Sequence, residues 1–494
     1  MLVLRTVRRT LSHRRGHRQH ALPHPLTPAR RLSPHEKGPV VKKPLVALLA
    51  ALTATVTACS LDSNNSADDV VDVVIGYQSK TINTVTAGTL LRAKGFLERR
   101  LADVTAENGT KYNVVWQDYD TGAPITAQMV AEKIDIGSMG DYPMLINGSK
   151  TQSNERARTD IVSVTGYHPK GALNMVVVDP ASPAQTLTDL AGQKVSASVG
   201  SAGHGTLVRA LERAGLDPKT GVDVLNQQPQ VGASALESGQ VDGLSQFVAW
   251  PGLLVYQDKA RLLYDGAELD YPTLHGVVVR EDYAARHPEV LDAFLQSQLD
   301  ATEFLNAEPL EASRIVADGS GLPQEVVYLY NGPGGTSFDT TLKPSLVDAL
   351  KGDVPYLKSI GDFAELDVAG FVNDGPLRKA FTERGLDYQA ALDANSAPTG
   401  GELWLQDSDS TQTVANPTEL LRAVRAAEAD GATVRAAYVP DAELGTRWFA
   451  DKAVWVKDGQ SYLPFGTQAG ARRHIAAHPG AAVISYREAL VGVQ

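Results

Sequence analysis

The chain has 494 residues, with 46 Lys and Arg against 57 Asp and Glu, a net charge of −11, and 43% hydrophobic residues. That length exceeds what one core supports and points to two or three domains, while the acidic balance excludes the basic stripe of a nucleic-acid binder. A single cysteine, Cys59, excludes an intrachain disulfide and any multi-cysteine metal centre.

Residues 1–41 are rich in Arg and His and carry almost no acid, so they read as a disordered basic extension upstream of a misplaced start codon. Lys42 and Lys43 are followed by an apolar run that ends at Ala58. About 15 apolar residues fall short of the roughly 20 that a spanning helix needs, so residues 42–58 read as a secretory signal. The alternative is a signal anchor that is never cleaved. Val56-Thr57-Ala58-Cys59 resembles a bacterial lipobox, which implies lipidation of Cys59 and an exported protein tethered at the outer face of the cytoplasmic membrane. Residues 59–70 are polar and read as that tether. From Cys59 onward the chain keeps 35 basic and 56 acidic residues, a balance that suits an exported protein and says nothing about the sign of a ligand.

Beyond residue 70 strands and helices alternate, which predicts an α/β architecture with mostly parallel sheets. Strands are expected at 71–77, 112–119, 134–138, 161–167, 174–178, 194–197, 222–225 and 276–280. Helical spacing covers 83–104, 124–132, 206–214, 233–238 and 287–306. Pro, Gly and Ser cluster at 396–401 and predict a linker. The remaining residues, 402–494, start with a strand at 403–405, continue with a helix at 417–430, and form a small C-terminal α+β domain.

Four loops lie where a predicted strand gives way to a helix: Gly76-Tyr77-Gln78, Asp120-Thr121-Gly122-Ala123, Gly140-Asp141-Tyr142-Pro143 and Gly200-Ser201-Ala202-Gly203-His204-Gly205. Ligands of open α/β sheets bind outside the carboxyl ends of strands. Helix starts there present unpaired N–H groups that favour anions. The Gly200–Gly205 stretch has neither a P-loop lysine nor a dinucleotide spacing.

Order and spacing sharpen this reading. IGYQ at 75–78, YDTGAPITAQMVAEKIDIGSMGDYPML at 119–145, TLTDLAGQKV at 186–195, GQVDGLSQFVAWPGLL at 239–254 and YAARHPEV at 283–290 resemble, in that order, segments of the NitT/TauT family of binding proteins. These are the receptors of ABC importers for taurine, sulfonates, nitrate and related solutes. One departure is that Pro251 follows Trp250 directly. The resemblance implies a two-lobed periplasmic-binding-protein fold of type II with a hinge cleft, over residues 71–395. Lobe I would comprise 71–168 and 275–395, and lobe II 169–274.

The same resemblance places Gln78, Gly140, Asp141, Tyr142, Ser201, His204 and Trp250 around the ligand. Each has a plainer reading: Gln78 as a turn cap, Trp250 as core packing, His204 as a partner for backbone, Asp141 as a cap for the following helix. As a ligand residue, Asp141 would accept from an amine and repel a simple inorganic anion, favouring a zwitterion such as taurine or a cationic nitrogen compound over nitrate. No arginine stands in these loops, so an anion would rest on backbone and hydroxyl donors.

The tail departs from that family. Trp448-Phe449-Ala450-Asp451-Lys452-Ala453-Val454-Trp455, Leu463-Pro464-Phe465-Gly466 and His474 to Gly480 resemble the NosL family of copper accessory lipoproteins. No Cys or Met follows Met175, so soft copper ligation is not expected. His474 and His478 stand at i, i+4, but Pro479 directly afterwards reads as a helix end, and no metal and no cofactor is expected.

The sequence thus favours a monomeric, non-enzymatic solute receptor that hands a small organosulfonate or related solute to a permease and an ATPase on other chains. It keeps open a copper-handling role through the tail, and a thiamine-type pyrimidine or guanidine-type nitrogen compound in the same cleft. The pyrimidine synthases of this fold carry a cysteine-rich iron motif absent here, and neither a Gly-x-Ser-x-Gly elbow nor a His-Glu-x-x-His is present.

Overall fold

A computed structural model describes residues 70–394 and 400–493. The basic extension 1–41, the signal 42–58, Cys59, the tether up to residue 69 and most of the 396–401 linker lie outside the described residues.

The first ten strands are β1 (Val70–Tyr77), β2 (Lys111–Asp118), β3 (Ile136–Gly140), β4 (Thr159–His168), β5 (Asn174–Val178), β6 (Lys194–Ala197), β7 (Asp223–Asn226), β8 (Gly243–Phe247), β9 (Arg261–Asp265) and β10 (Thr273–Arg280). They form two five-stranded sheets, ordered β2-β1-β3-β10-β4 and β7-β6-β8-β5-β9. In each, the first three strands run parallel, and one long-range strand, β10 or β5, pairs antiparallel with its neighbours. The chain passes from the first sheet to the second between His168 and Asn174, and back before Thr273.

Both faces of each sheet are covered, as a largely parallel sheet requires. Helix Pro288–Ala307 lays Phe294, Leu295 and Leu299 against Val73, Ile75 and Val277. On the opposite face of that sheet, Met139, Tyr142 and Leu145 pack with Leu346 and Leu350. Every residue of β10 is buried, polar Thr273, His275 and Arg280 included, so its sequence shows no polar-out alternation.

The predicted helix at 83–104 is broken. Gly95 adopts a positive φ of 60° between helices Thr89–Lys94 and Phe96–Asn108, a left-handed turn that glycine takes at least cost. Strands β8 and β9 and the seven helices between Pro309 and Asp393 carry no clear sequence signal, since their apolar residues face several neighbours at once.

The tail contains β11 (Gly401–Leu405), β12 (Thr411–Val414), β13 (Val434–Pro440), β14 (Arg447–Phe449), β15 (Val454–Asp458), β16 (Ser461–Phe465) and β17 (Ala482–Ile484). They form two antiparallel sheets, β12-β11-β13-β14 and β16-β15-β17. The first sheet does not stand alone. Trp404, Tyr438, Trp448 and Phe449 join one continuous core with Trp250, Leu254, Val255 and Tyr328. Phe449 lies 5.5 Å from Tyr256, ring to ring. Among the described residues no helix is long and apolar enough to cross a membrane.

Candidate functional site

Two helix starts meet between the sheets. Helix Asp141–Thr151 leaves β3 directly, with Gly140 as its N-cap and no side chain capping it. Helix Ala202–Arg213 follows a turn in which Gly200 has φ +83°. Its N-cap is Ser201, whose hydroxyl accepts from His204 N at 3.2 Å. A helix leaves its first N–H groups without intrahelical partners, and this one cap satisfies only one of them.

The approach of the two starts needs small residues. A Cβ at Gly140 would stand 2.9 Å from His275 Nε2 and 3.1 Å from Ala202 Cβ. A Cβ at Gly205 would lie 2.1 Å from the Tyr142 ring. Tyr142 is therefore seated across the first turn of the opposing helix.

Gln78 ends β1 and is buried; its Nε2 donates to Ser138 O at 3.0 Å and its Oε1 accepts from Thr81 Oγ1 at 3.3 Å. Trp250 opens helix Trp250–Tyr256 and is almost wholly buried, with Lys80 Nζ 5.8 Å from its ring centre. Lys80 forms no ion pair among the described residues. His204 Nδ1 accepts from Gly200 N at 3.3 Å, and burial pulls the imidazole down to about 4.

Asp141 is 2% exposed, and its carboxylate is fully engaged within the protein. One oxygen accepts from Tyr142 N at 2.8 Å; the other accepts from Thr273 Oγ1 at 2.6 Å and from Leu274 N at 3.4 Å. Burial raises its pKa. The donors on β10 belong to the return crossover, so this residue pins the strand where the chain re-enters the first sheet.

Several residues here have no sequence signal beyond being polar in apolar surroundings. His275, in the buried run of β10, bonds Asn83 at 2.8 Å through Nδ1, and burial holds it down at about 3. Gln246 donates to Ser198 Oγ at 3.1 Å. Asn83 Oδ1, Ser138 Oγ and Gln246 Oε1 are buried without a hydrogen-bond partner. Buried polar atoms are nearly always paired, so these three, beside the loops at 78–83, 138–142 and 198–204, are open to a polar partner.

A larger cavity of about 730 Å³ lies elsewhere, between Leu299, Asn306, Phe338 and Arg384. It holds none of the predicted site residues, and its charged lining residues are Glu303, Asp339 and Arg384, the last paired with Asp300.

In the tail, His474 and His478, expected without a metal role, are joined by Asp458. Their rings stack at 3.9 Å and 15°, and His474 Nε2 lies 3.0 Å from Asp458 Oδ2. Helix Gln468–Ala477 ends at His478, as Pro479 predicts.

Two mixed sheets of matching strand order, joined by two crossovers around opposed helix starts, define the type II periplasmic-binding-protein fold, here with extra C-terminal antiparallel sheets. Residues 148–312 match the family model described as NMT1/THI5 like. The chain is 27% identical over 307 residues to a putative aliphatic sulfonates-binding protein of Escherichia coli, covering 62% of this chain and 86% of the relative. It is 28% identical over 301 residues to the taurine-binding periplasmic protein of the same organism, covering 59% and 88%. The solved structure of the alkanesulfonate-binding protein SsuA from Xanthomonas axonopodis pv. citri, bound to MOPS, superposes with a TM-score of 0.52 at 22% identity, over 61% of this chain and 98% of that one. These curated relatives are binding proteins rather than enzymes.

Proposed function

We propose that this chain is the extracytoplasmic solute-binding component of an ABC importer and that it captures a small organosulfonate of the taurine type. The observation that carries the reading is the meeting of the two helix starts at Gly140–Asp141 and Ser201–Ala202, flanked by orphaned polar atoms. Uncapped N–H groups and helix dipoles at that point suit a sulfonate. Lys80 supplies a cation and Trp250 an apolar wall for the alkyl part. The sulfonate- and taurine-binding relatives support the same class.

In this reading Gln78, Gly140, Tyr142, Ser201, His204 and Trp250 surround the solute. Asp141, with both oxygens engaged, positions the crossover instead of selecting the solute. Residues 71–395 form the receptor, with lobes at 71–168 plus 275–395 and at 169–274. The chain works as a monomer tethered through Cys59 and delivers its solute to a permease and an ATPase on other chains. The NosL-like tail, residues 402–494, braces the receptor through a shared core that takes in Trp250 and Leu254 of the second lobe and Tyr328 of the first.

Isothermal titration with taurine, short alkanesulfonates, nitrate, guanidine and a thiamine-type pyrimidine tests this. Binding of one sulfonate, weakened at least tenfold in Trp250→Ala and in Lys80→Ala, is the expected result. Heat from guanidine or the pyrimidine alone would replace the substrate class. Silence across the panel from folded protein would overturn the receptor reading.

A further inference from the structure

The tail holds a constellation that the solute cleft does not use. Asp458 ends β15 at the tip of the β15–β16 hairpin, and His474 and His478 lie along helix Gln468–Ala477 and its cap. The carboxylate and the two imidazoles bring one ligand atom each to within 4.8 Å of one another. We propose that Asp458, His474 and His478 form a binding site for a divalent transition-metal ion of the Zn²⁺ class.

Three features of the geometry support a metal over an ordinary surface pair. First, His478 Nδ1 lies 2.8 Å from the carbonyl oxygen of His474. A carbonyl only accepts, so Nδ1 carries the proton and Nε2 of the neutral ring keeps its lone pair. Fixing the tautomer by an Nδ1–H···O=C bond is the usual support of a metal-bound imidazole. Second, the two imidazoles are already neighbours, 3.9 Å apart centre to centre; because a metal lies in the plane of each ring it binds, the stacked rings tilt apart for both nitrogens to converge on one ion. Third, the His474 Nε2 to Asp458 Oδ2 separation is 3.0 Å. Ligand bonds of about 2.0–2.1 Å in a tetrahedron set neighbouring ligand atoms roughly 3.3 Å apart, so the pair needs to open by only a few tenths of an ångström.

The ion would take the place of the proton now shared between His474 Nε2 and Asp458. His474 then carries its proton on Nδ1, and the two neutral imidazoles with one carboxylate leave a net single positive charge at the site. Two nitrogens and one oxygen suit Zn²⁺, Ni²⁺ or Cu²⁺ and disfavour the all-oxygen shells of Mg²⁺ and Ca²⁺. Three protein ligands leave a fourth position for water or for a group from a partner.

The test uses untagged, chelator-treated protein titrated with ZnCl₂ in the presence of a competing chromogenic chelator. His13, His17, His20, His24 and His35 precede the fold, so the comparison is between wild type and variants that share them. One Zn²⁺ equivalent that is lost or weakened at least tenfold in His474→Ala/His478→Ala is the expected result, with Asp458→Asn weakened less. The exposed His478→Ala keeps the fold intact and must also weaken binding, with an unchanged thermal transition in the metal-free state. X-ray absorption of the Zn²⁺ complex should show two imidazole scatterers in wild type and one in His478→Ala. Equal affinity in wild type and the double variant, or binding of Mg²⁺ as tight as Zn²⁺, would overturn the site.

Discussion

The Tyr142 hydroxyl donates to Asp353 Oδ1 at 2.9 Å, and the same oxygen receives Arg209 Nη1 at 2.8 Å. Tyr142 stands on the first helix start, Asp353 on the helix Pro344–Asp353, and Arg209 on helix Ala202–Arg213 over the second sheet. Arg209 is also sandwiched by the rings of Tyr271 and Tyr356, at 3.5 and 4.5 Å. One buried acidic side chain thus holds the layers of both sheets together beside the crossovers.

Asp353→Ala should cost about 3–5 kcal/mol, because it strands a largely desolvated guanidinium and a buried hydroxyl. Tyr142→Phe removes only one donor and should cost about 1–2 kcal/mol. Urea unfolding of both variants checks the order; equal losses would mean that the Arg209 pair contributes nothing of its own.

Gly205→Ala should act through shape. Its methyl group would lie 2.1 Å from the Tyr142 ring, and that ring is wedged between two helices. Overpacking of this kind costs about 1–3 kcal/mol, and the cheapest relief is to move the two helix starts apart. Small-angle scattering should show a more open molecule, and a Tyr142→Leu/Gly205→Ala double variant should regain part of the lost stability.

The tail should unfold with the rest of the described chain. Arg447 Nη1 donates to Glu402 at 2.7 Å, both residues are buried, and Glu402 also accepts from Tyr328 at 2.6 Å. Arg447→Ala leaves Glu402 charged and unpaired, at a cost of about 3–5 kcal/mol. Calorimetry should show a single transition for wild type, and a separate low-temperature transition of the tail in the variant.

Acid should remove the stability that the two buried imidazoles contribute. Burial holds His275 at about 3 and His204 at about 4, against an ordinary 6.5. The unfolded chain therefore binds protons between pH 6.5 and 4 that the folded chain refuses, so stability falls as pH falls through that window. Asp353, pushed up to about 8 by burial and then by the Asp141 charge, works in the other direction, losing its contribution as pH rises toward 8. The difference between wild type and His275→Asn isolates the first effect. Wild type should lose about 3 kcal/mol more than the variant between pH 7 and 4; parallel pH profiles would show that His275 is protonated in the folded protein.

The strand–helix alternation and the loop positions were legible along the chain because each depends on local pattern: β-branched runs, glycine turns and helix starts; the two crossovers came only through the family resemblance. Gln78 and Ser201 could be placed at element boundaries for the same reason, and Trp250 only through the resemblance. Their partners could not. Asp353 is 211 residues from Tyr142, and Asp458 is 16 from His474. No periodicity relates such pairs; chain folding alone brings them together.

Asp141 shows where the division lies. Its position at a helix start is a matter of sequence, and so is its charge. Whether that charge faces a solute or the protein was decided by the return of β10, which puts Thr273 and Leu274 against it. The tail follows the same rule. Its strands, turns and helix ends are local, but the burial of Trp404, Tyr438 and Trp448 against Tyr328 and Trp250 is not. Sequence determined many of the strands and helices, because helix hydrogen bonds close within four residues and strand patterning is local. Only tertiary structure decided which polar groups lose water, and with them the partners, the protonation states and the open positions that a ligand can fill.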